Sequence, residues 1–226
     1  MSPLVLSVII PTLDEADAVA RAVVSAGAAD EVIVVDGGSS DATKARALAA
    51  GAMVLDSRRG RGRQMNAGVA KAGGDLLLFL HADTVLPAGF RGPLTESMAG
   101  GARWGRFDVE LDGPGLFLAA IGGLINRRSR FSRVATGDQA IFVERRLFES
   151  VGGYSEEPLF EDIDLCRKLK RRSVMARPGG CRVLTSARRW MKAGTVRVSL
   201  QMWALKLLYL GGVPPAWLKR FYPDQR

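Results

Sequence analysis

Histidine, cysteine and uninterrupted apolar runs are all scarce in this chain, and each shortage closes off a class of function. There is one histidine, His81, and only two cysteines, Cys166 and Cys181. Neither cysteine has a partner at metal-ligand spacing, which argues against a zinc cage, and two thiols cannot form a disulfide framework. The opening Met-Ser-Pro-Leu-Val-Leu-Ser-Val-Ile-Ile-Pro lacks the basic start and small-residue cleavage site of a signal peptide, and Asp14 and Glu15 follow at once. Reduced thiols in a cytoplasmic protein are the expectation. No apolar run reaches the roughly 18 to 20 residues that span a bilayer. The longest, Gly115 to Ile125 and Val196 to Leu210, are too short or broken by charge. The 26 glycines follow no fixed period, so collagen-like and solenoid chains are excluded. Gly-x-Gly-x-x-Gly after the first apolar run and Gly-Lys-Ser/Thr are both missing, which argues against NAD, FAD and P-loop nucleotide sites.

What is present points to a folded α/β chain. Apolar residues make up 47% of the 226 and charged residues 24%, a balance that supports a sizeable core and one large domain. The net charge of +9 is unevenly placed. Residues 1–162 carry 17 Lys+Arg against 21 Asp+Glu, and residues 163–226 carry 15 against 2. A basic C-terminal third needs an anionic partner, whether phosphate, nucleic acid or an anionic membrane surface.

Val5 to Ile10 is a β-branched and aliphatic run closed by Pro11, the pattern of a strand buried on both faces. A helix is expected over Glu15 to Ala28, a second strand over Glu31 to Val35, and a turn at Asp36-Gly37-Gly38-Ser39-Ser40-Asp41. A helix over Ala42 to Ala50, a strand at Ala52 to Leu55, a helix at Arg61 to Ala72 and a strand at Leu76 to Leu80 follow. This alternation predicts a mostly parallel central sheet with helices on both faces, whose ligands bind beyond the carboxyl ends of the strands. Past residue 100 the pattern becomes irregular. Strands are expected at Trp104 to Leu111 and Ala140 to Val143, a helix at Leu159 to Arg172, and an amphipathic helix over Thr195 to Leu210. We divide the single expected domain into a nucleotide-binding half (1–100), an acceptor and catalytic half (101–194) and a helical tail (195–226).

The polar clusters fall at the predicted strand ends, and each has a plain structural alternative. Asp36 can accept hydrogen bonds from a nucleobase or ribose, with Gly37 and Ser39 shaping the loop, or can simply cap the next helix. Thr12 to Glu15 is either a ligand loop or a helix start. Arg61 and Gln64, in Gly60-Arg61-Gly62-Arg63-Gln64, can touch phosphate or form a solvated face. His81 and Asp83 point the same way after an apolar strand and can converge on Mg²⁺ or Mn²⁺ held against a diphosphate, or can close a turn. Glu161 and Asp162 open a helix, where carboxylates suit the dipole or can serve as a general base. Asp138 and Gln139 precede a strand, and Arg188-Arg189-Trp190 can grip a diphosphate in bidentate fashion or form a surface patch.

The order of these clusters is more specific than any one of them. Ser-Val-Ile-Ile-Pro-Thr-Leu-Asp-Glu, Val-Ile-Val-Val-Asp-Gly-Gly-Ser-Ser-Asp, Gly-Arg-Gly-Arg-Gln-Met-Asn-Ala-Gly, Leu-Phe-Leu-His-Ala-Asp-Thr, Thr-Gly-Asp-Gln-Ala-Ile-Phe-Val and Gly-Gly-Tyr followed by Glu-Asp-Ile-Asp-Leu resemble the family 2 glycosyltransferases. The likeness covers about Ser7 to Trp190 and is strongest to a small bacterial subgroup. It implies a GT-A fold, a nucleotide-diphosphate sugar donor, an acceptor hydroxyl and inversion at the sugar. It further implies that Pro11, Thr12, Leu13 and Glu15 line the nucleotide site and that Asp36 contacts the base. Asp83 would match the last carboxylate of an Asp-x-Asp motif that binds metal and diphosphate, with His81 standing where the first Asp is usual. Asp162 would be the general base, and Arg188-Arg189-Trp190 the counterpart of a Gln-x-x-Arg-Trp motif.

Two other functions fit less of the chain. A sugar-phosphate nucleotidyltransferase would carry a glycine-rich Arg/Lys loop after the first strand, where Thr-Leu-Asp-Glu stands. A basic nucleotide- or nucleic-acid-binding module would need aromatics interleaved with the C-terminal charge, and those present sit in apolar context, so no nucleic-acid partner is expected. In the tail, Val196, Leu200, Trp203, Leu207 and Leu210 recur at helical spacing. They either close the core or lie on anionic lipid, the second placing the enzyme near a lipid-linked acceptor.

Overall fold

A computed structural model describes residues 4–188 and 195–221. Its centre is a seven-stranded sheet in the order β3-β2-β1-β4-β8-β6-β9. The first four strands, β1 (Leu6–Thr12), β2 (Glu31–Asp36), β3 (Met53–Asp56) and β4 (Leu76–Phe79), are mutually parallel. β8 (Ile141–Glu144) runs antiparallel to β4, pairing Phe79 with Ile141, and antiparallel to β6 (Trp104–Arg106), which pairs in parallel with β9 (Met175–Ala176).

The unbroken apolar runs follow from burial on both faces. Leu6, Val8, Ile10, Val34, Leu76 and Leu78 face one core, against Val19, Ala22 and Val23 of α1 (Val19–Ser25). Ile9, Ile33, Val35, Leu77 and Phe79 face the other, against Met65 and Val69 of α3 (Arg61–Lys71). Each such side chain contributes about 1.5–3 kcal/mol when fully buried. α3 lies so close to the sheet that a Cβ on Gly68 would stand 2.5 Å from the Ile9 Cγ2 atom.

Two expectations for this half need correction. Pro11 lies within β1 rather than ending it, paired with Val35. The Leu80 amide donates to the Ile9 carbonyl, so Ile9 and Pro11 both present their backbone toward β4, and β4 has ended by then. The amide that proline lacks therefore has no partner to lose. The helix expected from Glu15 begins only at Val19. The amides of Asp14, Glu15 and Ala16 donate instead to Ser39 Oγ, Thr43 Oγ1 and Asp41 Oδ2, which holds this stretch as a loop. α2 (Thr43–Ala49) follows that second loop.

The C-terminal half is less irregular than its sequence suggests. Trp104 to Leu111 is two strands, not one: at Phe107 the chain leaves the main sheet, its amide donating to Gln139, and enters β7 (Asp108–Asp112). β7 lies in a second sheet of order β5-β10-β7, with β5 (Thr84–Val85) and β10 (Arg182–Ser186). The stretch from Gly92 to Ser132 contains most of α4 (Arg91–Ala99) and a 17-residue helix, α5 (Leu116–Ser132), which packs on β7. α6 (Arg145–Ser150) and α7 (Glu161–Leu169) follow β8, and α8 (Thr195–Leu210) leads into a short final turn. In α8, Leu205 and Tyr209 pack against Leu159, Phe160 and Ile163, whereas Leu207 and Leu210 are exposed. Two of the five positions expected on its apolar face are thus exposed; the side chains of Val196, Leu200 and Trp203 lie outside the described residues.

Candidate active site

The loops after β1 and β2 are laced together at the crest of the sheet. Asp36 is fully buried, and its carboxylate accepts bonds from the amides of Gly38 and Ser39 and the hydroxyls of Thr12 and Ser39. Asp14, at φ +53°, accepts the Ser40 amide in return. Both oxygens of Asp36 are thus engaged within the loop, and the carboxylate shapes the Gly37–Ser39 turn. Gln64 is likewise engaged within the protein. It is 3% exposed, and its amide donates to the carbonyls of Thr12 and Val35, 2.8 Å each, clamping the ends of β1 and β2. Pro11, Leu13, Gly37 and Ser39 remain half-buried around the same opening.

Beyond β4 the chain gathers charge around one imidazole. Because β8 is antiparallel to β4, the residues ahead of Ile141 lie beside those after Phe79. The His81 ring rests on Gly137, where a Cβ would stand 2.1 Å from Nε2. Burial, then Arg61, lowers the His81 pKa, against the opposing pull of Asp83, Asp138 and Asp162. Asp83 also acts on Glu15, whose carboxyl is raised by burial and by Asp83 and drawn back by Arg188 at 3.0 Å and by Arg61. The Ser186 amide donates to the Asp83 carbonyl, which joins β10 to this point and brings Arg188 over the loop after β1.

Asp162 faces the same cluster. Its Oδ2 accepts the Gly137 amide at 2.9 Å and its Oδ1 the Ile163 amide at 2.7 Å. Glu161 beside it is 6% exposed; burial and Asp162 raise its carboxyl, and Arg61, 3.8 Å away, lowers it. Phe160 ahead of them adopts φ +68°, a left-handed conformation costly for an aromatic residue, and is held by stacking on Tyr209 at 4.9 Å. A recess of about 50 Å³ opens there between Arg61, Thr136, Phe160, Glu161, Asp162 and Lys206. The structure thus brings Glu15, Arg61, His81, Asp83, Asp138, Glu161, Asp162 and Arg188 to one region.

Gln139 does not join them. It is fully buried, its Oε1 accepting from Ser129 and its Nε2 donating to Asn126, and it completes a capping box with Thr136. Arg189 and Trp190 lie outside the described residues. Sequence reasoning missed Thr136, Phe160 and Lys206 as parts of the site. Lys206 left a trace, as the sole charge between Arg197 and Lys219; Phe160 left none, because its role lies in its backbone.

The donor set suits a hard or borderline cation. Asp138 Oδ1 is buried without a partner beside His81, an acceptor left over in a cluster that also holds Asp83. Among the described residues no three His, Cys, Asp or Glu side chains converge to cage an ion. An ion held here would need further ligands from water or phosphate oxygens, which Mg²⁺ and Mn²⁺ take readily.

Known proteins resemble this chain in part of its sequence and in its fold. A glucosyl-3-phosphoglycerate synthase of Mycolicibacterium paratuberculosis is 35% identical over 96 residues, covering 36% of this chain but only 29% of that protein. The Mycobacterium tuberculosis protein of the same name is 33% identical over 97 residues, 30% of its length. Among solved structures, S. aureus TarS 1–349 in complex with UDP-GlcNAc matches with a TM-score of 0.65 at 17% identity, over 82% of this chain and 59% of that one. M. tuberculosis glucosyl-3-phosphoglycerate synthase with Mg²⁺ and UDP matches at 0.55 and 21%, over 82% and 70%. These likenesses show a GT-A fold. The pattern of Glycosyl transferase family 2 matches residues 7–143, more than half of the sequence, and the chain belongs to that family.

Proposed function

We propose that the protein is an inverting glycosyltransferase that moves a sugar from a nucleoside-diphosphate donor to an acceptor hydroxyl, with Asp162 as general base. The observation that carries this reading is the convergence of Asp162, His81, Asp83 and Arg61 at the carboxyl end of β4. The nucleotide lies against Pro11 to Glu15 and the Gly37–Ser39 loop, whose shape Asp36 and Gln64 maintain. Uridine diphosphate sugars are the first donors to test, since TarS and the mycobacterial synthase are both known with uridine nucleotides.

Asp83 and His81 would hold a divalent ion, with water and phosphate oxygens completing its shell, and the ion would supply positive charge against the diphosphate. Asp162, fixed by the Gly137 amide, takes the proton of the acceptor hydroxyl as that oxygen bonds to the anomeric carbon. The bond from that carbon to the diphosphate oxygen breaks on the opposite side, so the sugar inverts. Arg61 and Arg188 stabilise the charge that appears on the departing diphosphate. The acceptor enters by the recess beside Lys206.

Asp162→Asn keeps the shape and one of the two amide contacts, since its NH2 group cannot accept an N–H, and it cannot take the proton. We expect donor affinity, measured by calorimetry, to stay within threefold, while transfer falls by about 10²–10⁴. A variant that turned over at the wild-type rate would remove Asp162 from the role of base.

A further inference from the structure

α5 turns an apolar stripe to solvent. Phe117, Leu124 and Phe131 recur every seven residues, so they share one face, and they are 59%, 65% and 80% exposed. From Phe117 to Phe131 the stripe runs about 21 Å along the helix. The flank and the far face are already used: Ile121, beside the stripe, and Leu118 pack with Leu111, and Asn126 bonds to the Val109 backbone. The Arg127 guanidinium lies 5.9 Å over the Phe131 ring, and Arg130 and Arg133 are exposed at the same end.

The C-terminal segment repeats this composition. Leu207, Leu208, Leu210, Trp217 and Phe221 are exposed, with the Trp217 and Phe221 rings 4.6 Å apart and Lys219 and Arg220 between them in sequence. The two segments adjoin, because Val134, two residues past the end of α5, packs into the cluster of Leu205, Tyr209, Val213 and Leu218. Nine of the 14 large hydrophobics exposed among the described residues lie in these two segments, so the patch is not random scatter.

Charge selects the occupant. No acidic residue occurs between Asp112 and Asp138, and none between Asp164 and Asp224. A second copy of the chain would set one arginine-bearing, acid-free face against another, which like-charge repulsion opposes. Anionic lipid headgroups complement the cations, while Phe, Leu and Trp side chains enter the boundary between headgroups and acyl chains. Among the described residues no helix is long and apolar enough to cross a membrane, so the contact lies on the surface. We propose that the α5 stripe and the C-terminal segment together form a peripheral docking surface for an anionic lipid bilayer. Phe160 stacks on Tyr209 of α8, so this surface adjoins the recess beside Asp162.

Co-sedimentation of the full chain tests this independently of any enzymatic reading. Vesicles of phosphatidylcholine alone are compared with vesicles of equal parts phosphatidylcholine and phosphatidylglycerol, at low and high salt. The wild type pellets with the anionic vesicles and is released by salt. Arg127→Gln lowers partitioning about fivefold. The triple variant Phe117→Ser, Leu124→Ser, Phe131→Ser abolishes it while keeping the wild-type circular dichroism spectrum, as expected for exposed positions. Equal pelleting with both vesicle types, or full pelleting of the triple variant, overturns the proposal. So does a concentration-dependent dimer in lipid-free buffer that the triple variant dissolves, since the face would then serve a second copy.

Discussion

The loops at the end of β1 and β2 and the cluster beyond β4 stand side by side but are built on opposite terms. In the first, carboxylates and hydroxyls close on neighbouring amides: Asp36 on Gly38 and Ser39, Asp14 on Ser40, Thr43 on Glu15. In the second half satisfaction is incomplete. Among the described residues the four buried side-chain atoms without a partner are Arg106 Nε, Arg128 Nε, Asp138 Oδ1 and Ser155 Oγ, all beyond residue 105. Three of the four non-glycine residues at positive φ, Arg133, Ala140 and Phe160, lie there too. Such strain costs of order 1–3 kcal/mol per residue and persists where surrounding packing enforces it. The loops around Asp36 are thus closed on themselves, and the side that carries Asp138 and Phe160 keeps charge and backbone strain in reserve. Substitutions on the two sides should fail differently: activity first on one, stability first on the other.

The largest effect is expected at Gly137. Alanine there places a Cβ 2.1 Å from His81 Nε2, so the imidazole must move or the turn that donates to Asp162 must shift. Displacement of about 1 Å at such a centre costs on the order of a hundredfold in rate. We expect kcat for transfer to fall by about that factor while the fold, followed by circular dichroism, is kept. A variant within threefold of wild type would mean that the Gly137 contact organises nothing chemical.

Gln64→Leu probes the donor side. The leucine cannot donate to the Thr12 and Val35 carbonyls; the Thr12 carbonyl keeps the Gly37 amide, so the cost falls chiefly on the Val35 carbonyl, at about 1–3 kcal/mol of desolvation. Urea unfolding should show a loss of about 2 kcal/mol, with kcat at saturating donor nearly unchanged and KM for donor raised. A fall in kcat without loss of stability would erase the contrast between the two sides.

How far the sequence could be read follows the same division. Strands β1, β2 and β4 were legible because burial on both faces leaves continuous apolar runs such as Val-Ile-Ile and Leu-Leu-Leu-Phe, whereas β3, exposed at the sheet edge, was marked by its place between two helices. α5 was not recognised as a helix, because its exposed face carries Phe117, Leu124 and Phe131 in addition to the buried Leu118 and Ile121, which erases the helical period. The break between β6 and β7 falls at Phe107, itself fully buried and so indistinguishable from its neighbours in a strand. At the site, strand ends identified which residues reach the crest but not their direction. Asp36, Gln64 and Gln139 point inward for reasons of hydrogen bonding that spacing does not encode. The meeting of His81 with Asp138 and Asp162 depends on the antiparallel pairing of β4 and β8, made by residues more than 60 positions apart.

Glu161 tests the reserve of charge with the smallest expected effect. Burial and the neighbouring Asp162 raise its pKa above the ordinary 4.5, and Arg61 only partly restores it. Between 4.5 and that raised value the folded chain keeps a proton the unfolded chain has released, so folding stability falls as pH rises through this window. Glu161→Gln keeps the volume and cannot ionise. Near pH 4, where the carboxyl is protonated in both states, the variant should match wild type. Above the window it should melt higher, by on the order of a degree or two. Should wild type be the more stable at pH 8, the Arg61 contact outweighs burial and Glu161 is a settled ion pair. The catalytic side would then be as fully compensated as the loops around Asp36.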